Sequence, residues 1–494
     1  GLLPFAWAFG FCFPAGDDFD EATRAMFLFD LAGGLYEIGR EWLSWSGRYT
    51  YHFLAVFLGK AAELRLMCGL VCGAVLALHG AAFYGLARVA GLSRRNAAPV
   101  AALGLLALCG AYQQLPVFYL LTESLTSGLQ SALALLFLWS LCLLWKRCPD
   151  AENAGTEATR ALRRARRLAC GLGVAAVGVF EHAALAVLFA AGVACALAFA
   201  DGRTQEEGDA ARERPGTPRP RLAAFLTVAF WCVGAALFSF LAPGNFARRA
   251  ARGVDAETVR RQLEAVPADW LQALAGFVHS LWPVAAVVLA LLLVFLGSKG
   301  PRSLTRVDAL RLAALAPAAF CLFSLALTTL HALSDVPLMG AAKLPASLSL
   351  YAAVALCFTV YGLLLALPAR PAWGRAVALL AGAALMGLCL NGDNFQRTLR
   401  TAVNGDLSLY ARAMEARADW LRQEGAHETG AEPFRFGLMG ELLHPGSRKR
   451  AIAPGAPVTL VAQWPRAVFP VIGRDGLSGR APRWPNPWAA WLYG

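Results

Sequence analysis

Charge is what this chain has least of. Asp, Glu, Lys and Arg together make 16% of 494 residues, against 57% hydrophobic. That ratio excludes an ordinary soluble domain, whose surface needs far more polar cover. Paired-cysteine spacing is also missing. The twelve Cys fall almost all within apolar runs and none follows Asn391, so neither a disulfide framework nor a zinc site is indicated. There is no glycine-rich nucleotide-binding loop and no internal repeat of the kind many transporters carry. Nothing resembles the basic start of a cleaved signal peptide, and no initiator Met is present; Leu2 to Pro14 are therefore expected to be the end of a first membrane span.

What the chain has instead is apolar runs long enough to cross a hydrocarbon core, which takes roughly 20 helical residues. Eleven spans are expected: one ending near Phe13, then 66–90, 97–115, 126–145, 168–180, 182–200, 222–242, 276–297, 310–331, 347–367 and 376–392. The expected fold class is an all-α polytopic membrane protein. The net charge of +12 would suggest nucleic acid in a soluble protein. Here most of the excess sits in alternate short loops, so no nucleic-acid partner is implied. Arg88, Arg94 and Arg95 occupy one loop, and Lys146, Arg147, Arg163, Arg164, Arg166 and Arg167 the next. The stretch 201–221, read as a flexible linker, is the third; Lys299, Arg302 and Arg306 mark the fourth, and Arg370 and Arg375 the fifth. The positive-inside rule places all five in the cytoplasm.

The remaining polar groups then face the other side. Gly16-Asp17-Asp18-Phe19-Asp20 follows the first apolar stretch, and carboxylates there are costly near lipid unless they line a wet site. Three roles stay open for them. Asp18, then Asp17, is the first choice for a general base, since mutual repulsion raises one pKa. Asp17 and Asp18 could instead hold a divalent cation, or the cluster, Asp20 included, caps a helix. Residues 22–58, with Glu37, Arg40, Glu41 and aromatic Trp42, Trp45, Tyr49, Tyr51 and Phe53, are expected to form helices in the interface plane. The aromatics would suit a headgroup belt equally well. In Trp45-Ser46-Gly47-Arg48-Tyr49, a Gly beside an Arg permits close backbone approach to a bound group.

Basic residues supply the matching half. Arg48, Arg248 and Lys343 are candidates for a phosphate, Arg through its fork; Arg248, Arg249 and Arg252 would otherwise snorkel to headgroups. Pro243-Gly244-Asn245 reads as a tight turn. Glu181-His182 is expected between two half-length spans, where ionisable residues are functional candidates. Glu123, with Gln113, Gln114 and Tyr119, could add substrate hydrogen bonds; His331 with Asp335 is a weaker pair. Residues 1–392 form the membrane module. Residues 393–494 form a small extracytoplasmic region, with a helix expected over 407–422 and short strands over 434–436, 458–461 and 468–472.

Taken together, these residues resemble the GT-C-type glycosyltransferases, multi-span enzymes that use polyprenyl-phosphate sugars. More narrowly, the order Gly16-Asp17-Asp18-Phe19, Trp45-Ser46-Gly47-Arg48-Tyr49, Glu181-His182, Pro243-Gly244-Asn245 with Arg248, and Trp484-Pro485-Asn486 resembles a poorly characterised bacterial membrane-protein family. The resemblance implies Asp17 and Asp18 at a catalytic centre and Arg48, His182 and Arg248 near a donor phosphate. With it come an inner-membrane location, a site facing the periplasm, a polyprenyl-phosphate sugar donor, and a glycan, lipid or protein acceptor. Lys343 joins the phosphate set; Trp45, Tyr49, Glu181, Asn245 and Glu123 are the expected substrate contacts. A transporter or flippase, and a lipid-linked polysaccharide ligase or polymerase, are the rival functions.

Overall fold

The computed structural model describes residues 2–12, 31–44, 46–59, 64–111, 124–148, 156–209, 220–251, 256–297, 306–333, 343–367 and 371–405. Among them every regular element is a helix. In chain order these are α1 (Leu3–Ala8), α2 (Leu31–Ser44), α3 (Tyr49–Gly59), α4 (Leu64–Val89), α5 (Arg94–Ala111), α6 (Leu129–Arg147, entered through a π turn at Ser124–Gly128), α7 (Thr156–Val177) and α8 (Glu181–Asp209). They continue with α9 (Pro220–Phe240), α10 (Pro243–Ala251), α11 (Ala256–Val278), α12 (Trp282–Phe295), α13 (Arg306–Leu333), α14 (Lys343–Ala366), α15 (Gly374–Asn391) and α16 (Asp393–Val403).

Seven of the described helices are long and apolar enough to cross a membrane, or eight if the pair α11–α12, bent by 57°, is one span. Their outward faces carry large apolar side chains, with Phe230 74% and Leu380 71% exposed. Water would tolerate such a belt poorly; lipid accepts it. Among the described residues the protein is all-helical, and its apolar helices are those of a multi-pass membrane protein. Of the eleven expected spans, α1 has only six residues, and α5 and α7 are not apolar enough to cross among the described residues, α5 because it opens with Arg94-Arg95 and α7 because arginines fill its first half.

Three expectations are corrected. Glu181 and His182 do not join half-length spans: α7 has 22 residues and α8 has 29. The first half of α7 was hidden by its arginines, yet its buried positions Ala165, Ala169 and Ala176 recur at helical spacing, so the helix continues with its charges turned outward. The linker expected at 201–221 begins later, since α8 runs through Asp209. The expected span 276–297 is broken at residues 279–281. There Ser280 Oγ accepts the Trp282 N–H at 3.2 Å, and Pro283 sits in the first turn of the helix that starts at Trp282, where its missing N–H costs nothing.

Contacts fix the direction of the helices. Ser124 Oγ donates to Cys72 Sγ at 3.3 Å, and His79 Nε2 lies 2.8 Å from Ser131 Oγ, both pairs 52 residues apart. A constant offset means α4 and α6 run parallel. One end of the bundle gathers the turn after α4, the start of α5 and the end of α12: Asn96 Nδ2 donates to the Leu296 carbonyl at 3.5 Å. Arg221 stacks on Trp145 at 4.6 Å there, joining the starts and ends of two more basic loops. The opposite end holds α1, the end of α5 and α16. Phe5 meets Phe395 with ring centroids 6.1 Å apart, and Asn394 Nδ2 donates to the Cys109 and Gly110 carbonyls at 3.2 Å each.

His79 is fully buried in this packing, its Nδ1–H directed at the Val75 carbonyl at 2.9 Å. The Ser131 hydroxyl, 2.8 Å from both Nε2 and the Gly128 carbonyl, has one proton to share between them, a core arrangement within the bundle. Ser131→Ala is expected to lower stability by only about 0.6 kcal/mol, the usual worth of one interhelical hydrogen bond in lipid, and to leave activity unchanged. Thermal unfolding in detergent measures the first; an activity loss would move the pair from packing to chemistry.

Candidate functional site

Three segments far apart in sequence meet at the end opposite the basic loops. The first leaves α2 with the Ser46 N–H on the Glu41 carbonyl at 2.9 Å. Gly47 then passes so close to the end of α9 that a Cβ would overlap the Ser239 carbonyl oxygen. Its N–H points to Asn245 Oδ1 at 3.4 Å, while Asn245 Nδ2 donates to the Ser239 and Phe240 carbonyls at 2.8 and 3.2 Å. Pro243-Gly244-Asn245 is thus the first turn of α10, with Pro at the first helical position where its missing N–H costs nothing. Both functions of the Asn245 amide are engaged within the protein. It staples two chain segments together.

Arg48 follows and reaches the third segment. Its Nε lies 3.1 and 3.2 Å from the two oxygens of Glu181, and its Nη2 lies 3.0 Å from Oε2. The guanidinium also covers the Phe180 ring at 4.0 Å. This is a fork-on-fork pair with a stacked face, the geometry Lys cannot reproduce. The two side chains are 19% and 18% exposed. Glu181 is the first residue of α8, where the partial positive charge of the helix start favours a carboxylate. Nη1 of Arg48 has no hydrogen-bond or ion-pair partner among the described residues. Next to it His182 is buried, its ring edge-on to Phe180 at 4.7 Å.

Tyr49, Thr50 and Tyr51 lock this turn against the end of α7. The Thr50 and Tyr51 N–H groups donate to the Gly178 carbonyl at 2.9 and 3.3 Å, and the Tyr49 hydroxyl donates to the Val174 carbonyl at 2.6 Å. Burial, and secondarily the nearby Cys232 thiol, pushes the Tyr49 phenol above its ordinary pKa, so it stays a donor. Trp42 stacks on Phe238 at 4.8 Å with its indole N–H on the Phe238 carbonyl at 3.2 Å. It is therefore held by α9 as well as suited to an aromatic belt.

The arrangement can do one thing plainly: hold a guanidinium edge rigidly for an anion. The Arg48–Glu181 pair is nearly neutral as a unit, so a doubly charged group would need further cations. Arg248 on α10 and Lys343 at the start of α14 are placed by their backbones only, and their side chains lie outside the described residues. So do Asp17, Asp18, Asp20, Trp45 and Glu123, together with Gln113, Gln114, Tyr119, Asp335 and the segments beyond 405. Among the described residues no group of three His, Cys, Asp or Glu is placed to hold a metal ion; Asp17 and Asp18, offered above for a divalent cation, are not among them.

Sequence reasoning missed two participants. Phe180 carries the Arg48 stack, and an aromatic directly before Glu181 was its only signal. His52 lies with Nε2 2.9 Å from Ser46 Oγ, the two 3% and 0% exposed. That burial makes them a fixed joint across the turn between α2 and α3, and not an exposed nucleophile with its base. A Ser and a His six residues apart give no periodic signal.

A separate, half-open pocket of about 340 Å³ lies between the helices. Phe83, Leu135, Phe189 and Phe323 are among its walls, with Trp282 toward the motif end and Lys146 at the basic end. Arg48, Glu181 and His182 do not line it. Its surface suits hydrocarbon, not a sugar. Neither protein-family models, nor curated proteins, nor solved structures match this chain.

Proposed function

We propose that the chain is a membrane glycosyltransferase that moves a sugar from a polyprenyl-phosphate donor to an acceptor glycan, lipid or protein. The observation that supports it best is convergence. Gly47 with Asn245, and Arg48 with Glu181, are drawn from motifs that run over 198 residues of sequence, yet they share one end of the bundle. In this reading the architecture is GT-C-like with eleven spans, in a bacterial inner membrane, and the motif end faces the periplasm.

The reaction is a displacement at the anomeric carbon. The acceptor oxygen forms the new C–O bond, its proton passes to the Asp18 carboxylate, and the bond to the phosphate oxygen breaks with its electron pair. Arg48 Nη1, Arg248, Lys343 and His182 meet the charge on the departing lipid phosphate, the step where fixed donors contribute most. Glu181 holds the guanidinium in place. Tyr49 and Asn245 shape the turn, while Trp45 and Glu123 contact substrate. Asp17, Asp18 and Asp20 could also gather a divalent cation. The apolar pocket offers room for part of an isoprenoid tail.

The test is purified protein with radiolabelled polyprenyl-phosphate sugars, wild type against Asp18→Asn. Transfer about a hundredfold slower in the variant is expected, the low end for losing a general base. Undiminished transfer would remove Asp18 from the chemistry. Uptake of a sugar into sealed vesicles without any transfer would favour the transporter instead.

A further inference from the structure

At the basic end, away from the motif cluster, the last three turns or so of α4 and α6 leave a cleft of about 540 Å³ between them. Its wall includes Leu136 and Leu143; Tyr84 and Trp139 flank it, and Arg88, Lys146 and Arg147 line its end. Gly85 makes the shape possible. A Cβ there would lie 2.7 Å from Trp139 Nε1, so the indole lies directly against the α4 backbone.

Cations in the last turn of a helix are favourable in any protein, since they face the negative end of the dipole. That accounts for the charge of Arg88 on α4 and of Lys146 and Arg147 on α6, but not for their sharing one cleft with two amphipathic aromatics. Arg88 gives one N–H to the Leu92 carbonyl at 2.6 Å. Among the described residues, Lys146 and Arg147 have no hydrogen bond or ion pair and no carboxylate lines the cleft. Three cations thus stand at the edge of an apolar slot, with Tyr and Trp at the depth where such rings meet headgroups.

We propose that this cleft binds an anionic phospholipid, its phosphate on Arg88, Lys146 and Arg147 and an acyl chain along Leu136 and Leu143. Free phosphate would leave the apolar wall unused. A zwitterionic lipid offers the same phosphate, but its ammonium is repelled by the three cations, so it gains less. Basic clefts between membrane helices suit anionic headgroups for this reason, and binding here is independent of any transfer reaction at the other end.

The experiment is native mass spectrometry of the full chain released from detergent, titrated with phosphatidylglycerol, phosphatidylcholine or inorganic phosphate. The wild type is expected to bind phosphatidylglycerol at least tenfold more tightly than phosphatidylcholine. Replacing Arg88, Lys146 and Arg147 together by Gln is expected to weaken it about a hundredfold, and Arg147→Gln alone about fivefold. Phosphatidylcholine binding should weaken less than phosphatidylglycerol binding in both variants. The single variant, at an exposed position, serves if the triple one unfolds. Equal affinity for the two lipids, undiminished phosphatidylglycerol binding in Arg147→Gln, or displacement of the lipid by millimolar inorganic phosphate would each overturn the proposal.

Discussion

Arg48→Gln is expected to slow sugar transfer by about a thousandfold, the upper range for losing a fixed donor to a developing anion. It should also destabilise the fold, because Glu181 then loses its partner. For fully buried pairs that loss is about 3–5 kcal/mol, and for exposed ones below about 1, so side chains one-fifth exposed should cost about 2 kcal/mol. Glu181→Gln should cost a similar amount, since it strands the guanidinium over Phe180. The combination Arg48→Gln/Glu181→Gln separates the two roles. Two neutral amides can face one another, so thermal unfolding of the double variant should return close to wild type. Transfer should not return, because the donor for phosphate is still missing. Arg48→Lys should keep the charge yet recover little, as an ammonium cannot bridge both oxygens of Glu181 and lie over the ring. A stable double variant with wild-type transfer would leave the pair as packing only.

The membrane class was legible because it depends on averages: apolar runs of span length and basic residues in alternate loops. The helix ends at Leu92, Asn96, Leu296 and Arg221 do collect at one end of the bundle, as the charge pattern implied. Averages fail where a helix is amphipathic. Residues 156–167 carry Arg160, Arg163, Arg164, Arg166 and Arg167, so hydropathy stops at 168 while the helix does not. The broken span at 279–281 is invisible for the opposite reason: its residues are apolar enough, and only Ser280 and Pro283 mark the break.

For the site, the sequence identified the participants more readily than the partners. Gly47, Arg48, Glu181 and Asn245 were all singled out, and the structure brings all four together. From the motifs alone, Arg48 is a candidate for phosphate and Asn245 a candidate substrate contact. A local motif cannot reveal that its charge is matched 133 residues later, or that its amide is taken up by a neighbouring backbone. Such pairings belong to tertiary structure. They turn candidate ligands into supports, and leave Arg48 Nη1 as the guanidinium nitrogen without a partner among the described residues.

Gly47→Ala should be the most damaging single-methyl change in the described chain. The position does not demand glycine for its backbone angles, since positive φ occurs among the described glycines at Gly91 and Gly405. It demands glycine for space. The added Cβ would overlap the Ser239 carbonyl oxygen and lie 2.7 Å from its carbon. Those atoms are backbone, fixed by Asn245, and cannot rotate aside. Overpacking of this kind costs about 3 kcal/mol or more, and it would push Arg48 away from Glu181 as well. Gly178→Ala should cost somewhat less, about 1–3 kcal/mol. Its Cβ meets the Tyr49 ring and Thr50 Oγ1, which are side chains, though the Tyr49 hydroxyl is tethered to Val174. Gly171→Ala supplies the contrast. It lies within α7 with nothing near its Cβ, so ordinary helix propensity should raise stability by about 0.5–1 kcal/mol. Melting temperatures in one detergent should therefore order as Gly171→Ala, wild type, Gly178→Ala, Gly47→Ala. Gly47→Ala melting with the wild type would mean that the 46–52 turn does not pack on α9, and the convergence behind the proposed site would fall with it.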